Sequence, residues 1–141
     1  MKKSALIIFW LLAFNFLWII VQMTFPAVRE IFRGSILFLL PFVTFFLLGI
    51  ILTISVLKEK EEGKLKKFML LTGISATGVF LSVLFHNLIY GYFIYFYGQD
   101  FWERVGLGDE PVFFLLALIV FPILFLIGVK GTIITLIKRK K

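Results

Sequence analysis

Four long apolar runs dominate the pattern of hydrophobic and polar positions along the chain. They cover residues 4–25, 36–57, 68–90 and 112–137, and the third run continues in apolar and aromatic residues as far as position 97. Apart from Lys130 in the fourth, the runs contain no Asp, Glu, Lys or Arg. Because a helix needs about 20 apolar residues to cross a bilayer core, each run predicts a transmembrane helix. Residues 1–141 are therefore expected to form one all-α transmembrane domain.

The charged residues fall mainly between these runs, and their distribution predicts how the helices are oriented. Lysine and arginine are concentrated before the first run, between the second and third runs, and after the fourth. The third connection instead contains more acidic than basic residues: Asp100, Glu103, Asp109 and Glu110 beside Arg104. An excess of basic residues marks the cytoplasmic side of a membrane. We therefore expect an antiparallel up-down-up-down four-helix bundle with both termini in the cytoplasm.

Composition narrows the chemistry that the chain can perform. Of its 141 residues, 61% are hydrophobic and 16% are charged, against about 25% charged residues in soluble domains. The absence of cysteine excludes disulfides and thiolate metal sites, and a single histidine excludes a cluster of histidine ligands. We expect no metal and no cofactor. The net charge of +7 is attributed to membrane orientation, and no nucleic-acid partner is expected.

The third run contains polar side chains that are candidates for function. Small and polar residues recur on one helix face at intervals of four: Gly78, Ser82, His86 and Tyr90. Asn87 directly follows the histidine. One interpretation is a packing seam topped by an interfacial His–Tyr pair. The other is a proton-binding or ligand-binding His86 at the outer mouth of a cavity, with a charged side chain of the third connection folded over it.

The first run contains two amide side chains on one helix face. Asn15 lies close to the predicted midplane, and Gln22 lies two turns further along. A buried amide in a membrane helix most often bonds to a neighbouring helix and fixes its register. The alternative is that both amides line a polar path. Packing is favoured because the runs contain no carboxylate.

Lys130 is the one charged side chain inside a run. The fourth run is longer than a helix perpendicular to the bilayer needs, so the helix is expected to tilt or to extend beyond the core. Lys130 then lies close enough to the cytoplasmic interface for its ammonium group to reach the lipid headgroups. It is therefore a candidate contact for an anionic headgroup.

Prolines interrupt two of the runs. The outer connections are expected to contain local structure of their own. Pro41 and Pro122 each remove a backbone donor, and each is expected to kink its helix. In the third connection, Trp102 is expected to lie on lipid. Asp109 or Glu110 is expected to cap the fourth helix.

Residues 65–102 read LKKFMLLTGISATGVFLSVLFHNLIYGYFIYFYGQDFW. In this stretch of sequence the chain resembles small prokaryotic four-helix integral membrane proteins of unknown function. The resemblance covers about the last two-thirds of the chain. It implies a location in the cell membrane of a prokaryote and brings no activity with it. Small multidrug exporters are similar in length, but they need a glutamate in the first membrane helix, which this chain lacks.

Three functions are compatible with these observations. The favoured one is a non-enzymatic helical bundle that acts by packing with membrane lipids, with a second copy of itself or with another membrane subunit. The second is a transporter or channel for a small solute or ion, based on the polar and helix-breaking residues Asn15, Gln22, Pro41 and Pro122 and on the region of His86. The third is a membrane-embedded enzyme at the outer face, with His86 as general base and a nearby carboxylate as its partner.

Overall fold

The computed structural model describes residues 3–60 and 62–139, and within them every regular element is helical. In chain order the elements are α1 (Lys3–Thr24), α2 (Pro26–Phe32), a 3₁₀ turn (Ile36–Phe38), α3 (Leu40–Leu57), α4 (Lys64–Tyr97), α5 (Phe101–Arg104), α6 (Pro111–Leu115), a π-helical turn (Leu116–Val120) and α7 (Phe121–Arg139). The predicted all-α class is confirmed.

Four helical stretches are long and apolar enough to cross a membrane. They are Lys3–Thr24, Ile36–Leu57, Lys64–Tyr97 and Pro111–Arg139. Large apolar side chains on their outer faces are exposed, for example Phe14 at 65% and Leu118 at 60%. Contiguous apolar surface of this kind is unusual on soluble proteins and is typical of a surface that contacts lipid. The four apolar runs are therefore confirmed as helices capable of spanning a membrane.

Helix α4 is longer than the apolar run that predicts it. It begins at Lys64 after Gly63, and it ends at Tyr97 before Gly98. Both glycines have positive φ angles, 111° and 96°, which glycine adopts without the steric cost that other residues meet. Its 34 residues correspond to about 51 Å, compared with about 30 Å for a hydrocarbon core. The last turns of α4 therefore extend beyond residue 90 and form the surface on which α5 packs.

The two prolines within the runs are accommodated in different ways. Pro41 lies in the first turn of α3, preceded by the 3₁₀ turn, and does not produce the expected kink inside a helix. Pro122 lies at the start of α7, directly after the π-helical turn Leu116–Val120. A proline ring clashes with the carbonyl four residues earlier, here that of Leu118, and a wider π turn relieves the clash.

Helix α4 packs between α3 and α7, and small residues bring the backbones close together. A Cβ atom placed on Gly73 would lie 2.9 Å from the carbonyl oxygen of Gly49 on α3. On the other side of α4, a Cβ atom on Gly128 of α7 would lie 2.5 Å from the Thr72 hydroxyl. Close approach of this kind maximises van der Waals contact between membrane helices.

Helix α1 contacts the bundle mainly through α3, and aromatic rings connect it to α7. Phe16 of α1 and Phe45 of α3 both pack against Phe125 of α7, with ring centroids 4.5 Å and 5.1 Å apart. Phe9 and Phe125 are fully buried in the central apolar cluster. Aromatic rings therefore pack together with aliphatic side chains such as Leu12 and Leu52 in the centre of the bundle.

Replacing Gly73 by leucine is expected to destabilise the bundle, whereas the same change at Gly91 is not. A side chain at position 73 would overlap Thr53 and the α3 backbone, and overpacking of this kind costs about 1–3 kcal/mol. A Cβ atom at Gly91 meets nothing within 4 Å. Thermal unfolding of Gly73→Leu and Gly91→Leu in one detergent tests this. Equal melting temperatures would contradict the close packing of α3 against α4.

Candidate functional site

A histidine–carboxylate cluster lies where the C-terminal half of α4 meets the start of α6. We call this region the acidic end and define it by Asp100, Glu103, Asp109 and Glu110. The Nδ1 atom of His86 lies 3.3 Å from a carboxylate oxygen of Glu110, and its Nε2 atom lies 3.7 Å from a carboxylate oxygen of Asp109. A protonated ring nitrogen donates to such an acceptor, and an imidazolium ring donates from both nitrogens. His86 therefore connects α4 to the segment that starts α6.

Glu110 is a buried carboxylate that already has several partners. The residue is 4% exposed, and its carboxylate accepts the backbone N–H groups of Val112 at 2.8 Å and Phe113 at 3.0 Å. These bonds cap α6, where the helix dipole stabilises negative charge. The Glu110 backbone N–H in turn donates to the Asp109 carboxylate at 2.7 Å. Glu110 thus caps the helix as the sequence predicts. The sequence did not predict that Glu110 would also be buried beside His86.

Aromatic rings surround the histidine. Tyr90 stacks on Trp102 with an interplanar angle of 6°, and the indole N–H of Trp102 donates to the Tyr90 carbonyl at 3.4 Å. The His86 ring centroid lies 6.2 Å from that of Tyr90 and 5.7 Å from that of Phe114. The expectation that Trp102 lies on lipid is wrong. It is 7% exposed, because α5 folds back onto α4 and Phe93 packs against the indole.

The remaining members of the predicted stripe on α4 lie apart from this cluster. Gly78 faces the ring of Phe121 on α7, and Ser82 is 3% exposed, so this part of the stripe is packed inside the bundle. Asn87 is exposed, and its amide donates to the carbonyl of Val83 on the same helix at 2.7 Å. The structure therefore groups His86 with Tyr90 and two acids of the third connection.

Asn15 and Gln22 connect α1 to the irregular start of α3. The Asn15 amide donates to the Pro41 carbonyl at 2.9 Å and to the Thr44 hydroxyl at 3.0 Å. The Gln22 amide donates to the Phe38 carbonyl at 2.9 Å. In a 3₁₀ turn that carbonyl would accept from residue 41, which is proline and has no N–H. These bonds favour the packing interpretation of both amides over a polar path.

An apolar recess of about 160 Å³ lies between α1 and α7. Every side chain that lines it is apolar, and most are large: Trp10, Ala13, Phe14, Phe16, Leu17, Phe125, Leu126, Val129 and Ile133. Phe14 and Leu126 are more than half exposed. The recess is therefore open to whatever surrounds the bundle.

A second cavity lies between the start of α4 and the end of α7, and Lys130 does not border it. Its volume is about 550 Å³, and the lysines around it are Lys64, Lys67 and Lys138. Sequence reasoning did not select these three as a site. The spacing of Lys64 and Lys67 already places both lysines on one face of α4. Lys138 joins them only because α7 packs beside α4 in the folded chain. Lys130 is exposed on α7, and its contact with a headgroup stays a prediction.

Among residues 3–60 and 62–139, no three His, Asp or Glu side chains are grouped so as to hold a metal ion. Comparison of the chain with protein-family models, curated proteins and solved structures finds no match. Evidence for the function of the chain therefore comes from the side chains and cavities of this fold.

Replacing Asn15 by leucine is expected to lower the free energy of unfolding by roughly 0.6–1.7 kcal/mol, the range typical of hydrogen bonds between membrane helices. Asn87→Leu is the matched control, since it removes an amide that bonds only within its own helix. It is expected to stay within about 0.5 kcal/mol of the unmodified chain. Unfolding in mixed micelles measures both, and a larger loss in the control would contradict the role of Asn15.

Proposed function

We propose that the chain is a multi-pass protein of the cell membrane, folded as an up-down-up-down antiparallel bundle with both termini in the cytoplasm. The charge distribution supports this orientation. Lys3, residues 58–67 and Lys138 give one end of the bundle a strong excess of basic groups, whereas the opposite end contains more acids than bases. We call the basic end the lysine end, and the tendency of basic residues to remain cytoplasmic assigns it to the inner side.

Within the membrane the chain acts as a non-enzymatic, lipid-binding bundle. The observation that supports this function best is the recess between α1 and α7, which is lined only by apolar side chains and opens outward. Ala13 leaves room at its floor, while Trp10 and Phe14 stand beside it. No polar group in the recess would lose a hydrogen bond when hydrocarbon enters. An acyl chain of a membrane lipid is therefore the occupant that its chemistry suits.

Packing with another membrane subunit has weaker support. Partner helices in membranes usually dock at small residues, and Gly73 and Gly78 of α4 are already in contact with α3 and α7. Gly73 faces Gly49, and Gly78 faces Phe121. Of the residues that line the recess, Ala13 is the smallest. The small-residue seam of α4, from which the sequence favoured subunit packing, therefore already contacts other helices of the same chain.

Transport of a small solute also has weaker support, because the amides of α1 on which it was based are bonded to other parts of the bundle. The amide N–H groups of Asn15 and Gln22 are bonded to α3 or to the turn before it. The rings of Phe16, Phe45 and Phe125 pack against one another between α1, α3 and α7. A polar path along α1 would require both the amides and these rings to move.

The lipid-binding function predicts that filling the recess releases bound lipid. Ala13→Trp places a large side chain where an acyl chain would lie, and Leu47→Trp, at an exposed position of α3, is the matched control. Mass spectrometry of the purified chain counts the lipids that each variant retains. We expect Ala13→Trp to lose lipid relative to the control.

A photo-crosslinking experiment separates lipid from protein occupants. A benzophenone amino acid in place of Phe14 is expected to form lipid adducts in native membranes, and the same group in place of Leu47 serves as the control. A protein adduct specific to position 14, together with equal lipid retention by both tryptophan variants, would overturn lipid binding in favour of subunit packing.

A second candidate function is acid–base chemistry on a lipid at the acidic end. The favouring observation is that both ring nitrogens of His86 face carboxylates, those of Glu110 and Asp109. A general base needs an orienting partner within hydrogen-bond reach, and Glu110, held by the N–H groups of α6, supplies one. The Asp109 side chain is 46% exposed, so the Nε2 side of the ring is the side that a substrate would approach.

This second function predicts a chemical change in lipid that depends on His86. Vesicles containing the native chain would accumulate a modified lipid, detected by mass spectrometry, and His86→Ala would reduce its rate by about 10²-fold or more. Asn87→Ala, at the exposed neighbouring position, should leave the rate unchanged. If the native chain leaves every lipid unaltered, the acid–base function is excluded and the cluster serves to hold α6 against α4.

A further inference from the structure

The cavity at the lysine end is bordered by basic side chains from two helices. Lys64 and Lys67 belong to the first turns of α4, and Lys138 belongs to the last turn of α7. The helices approach closely at this point, because Gly131 of α7 lies against the ring of Phe68. Lys138 thereby joins Lys64 and Lys67, which are distant from it in sequence, at the border of one cavity of about 550 Å³.

The positive charge around this cavity is not neutralised by the part of the chain that the structure describes. Within residues 3–60 and 62–139, none of its three lysines forms an ion pair with a carboxylate. Lys66, their neighbour, instead donates to the Glu59 backbone carbonyl at 2.7 Å. The first turn of α4 also contains no acid, although the helix dipole favours one there. An anion between the lysines would relieve their mutual repulsion.

The floor of the cavity is largely apolar. Phe68 and Ile134 line it, and Ile134 lies one turn nearer the middle of its helix than Lys138. The Thr135 hydroxyl also borders the cavity, but it already donates to the Gly131 carbonyl at 2.7 Å. A basic rim above an apolar floor suits a molecule in which an anionic group is joined to a hydrocarbon chain.

We propose that this cavity binds an anionic phospholipid, with the phosphate held by Lys64, Lys67 and Lys138 and the start of an acyl chain on Phe68 and Ile134. The inference rests on the proposed lipid-binding function and names the class of lipid that the chain prefers. Lysine binds phosphate as a point charge, and basic pockets between membrane helices on the cytoplasmic side recognise such headgroups. Free phosphate would leave the apolar floor uncovered.

The test compares two variants that lose the same charge. Lys64→Gln, Lys67→Gln and Lys138→Gln are combined in the cavity variant, and Lys3→Gln, Lys58→Gln and Lys60→Gln, none of which borders the cavity, are combined in the control variant. Each chain is reconstituted with phosphatidylcholine and phosphatidylglycerol, and native mass spectrometry measures the ratio of the two lipids that remain bound. We expect the cavity variant to lose its preference for phosphatidylglycerol by about tenfold to a hundredfold, while the control retains it.

A charge-preserving variant and free phosphate complete the test. Lys64→Arg, Lys67→Arg and Lys138→Arg together should keep the preference, which shows that the glutamine variant fails through charge and not through misfolding. Inorganic phosphate added to phosphatidylcholine bilayers should not raise the melting temperature as phosphatidylglycerol does. If it raises the melting temperature equally, the assignment to a lipid headgroup is wrong.

Failure of this inference is distinguishable from failure of the proposed function. If the cavity and control variants lose the preference equally, or if the native chain has none, the anionic site is overturned. Lipid retention that still falls in Ala13→Trp would leave the lipid-binding function standing. If Ala13→Trp has no effect either, both proposals fail together.

Discussion

The backbone N–H and C=O groups of this chain need partners inside the protein wherever lipid surrounds it, because a hydrocarbon phase supplies none. The helices meet this requirement along most of their length, and the departures from it explain the irregular features. Before α3, Gln22 donates to the Phe38 carbonyl, to which Pro41 cannot donate because proline has no backbone N–H. At the start of α6, Glu110 accepts the N–H groups that have no helical partner. Before Pro122, the helix widens into a π turn.

The position of α4 between α3 and α7 follows from its small residues. Gly73 allows the α3 backbone to approach, and Thr72 lies against Gly128 of α7. Since both of these seams are used within the bundle, the outer faces are left with large apolar side chains. The recess beside Ala13 is the place where α1 and α7 do not close over one another. The small residues of α4 let α3 and α7 pack closely against it. The large side chains of α1 and α7 pack less closely with one another and leave the recess open.

The two ends of the bundle differ in how their charges are balanced. At the acidic end, the buried Glu110 is held by backbone N–H groups and by His86, so its carboxylate oxygens have partners inside the protein. At the lysine end, Lys64, Lys67 and Lys138 border a cavity without forming an ion pair with any described carboxylate. The first arrangement holds the protein together, whereas the second is suited to receive an anion from outside.

The sequence by itself determined the number of long apolar helices and most of their limits, because an apolar helix satisfies its backbone through bonds between near neighbours. It also indicated the cap at Glu110, since capping depends on residues two or three positions away. It did not reveal that Trp102 is buried or that Lys138 joins Lys64. It left open which charged side chain of the third connection, if any, meets His86. Helices that are apolar on nearly all sides give little sign of which face turns inward, apart from small or polar positions such as Gly78, Ser82 and Asn15. Only the tertiary structure, through the contacts of glycine and aromatic residues, decided the rotation of each helix and therefore which distant side chains meet.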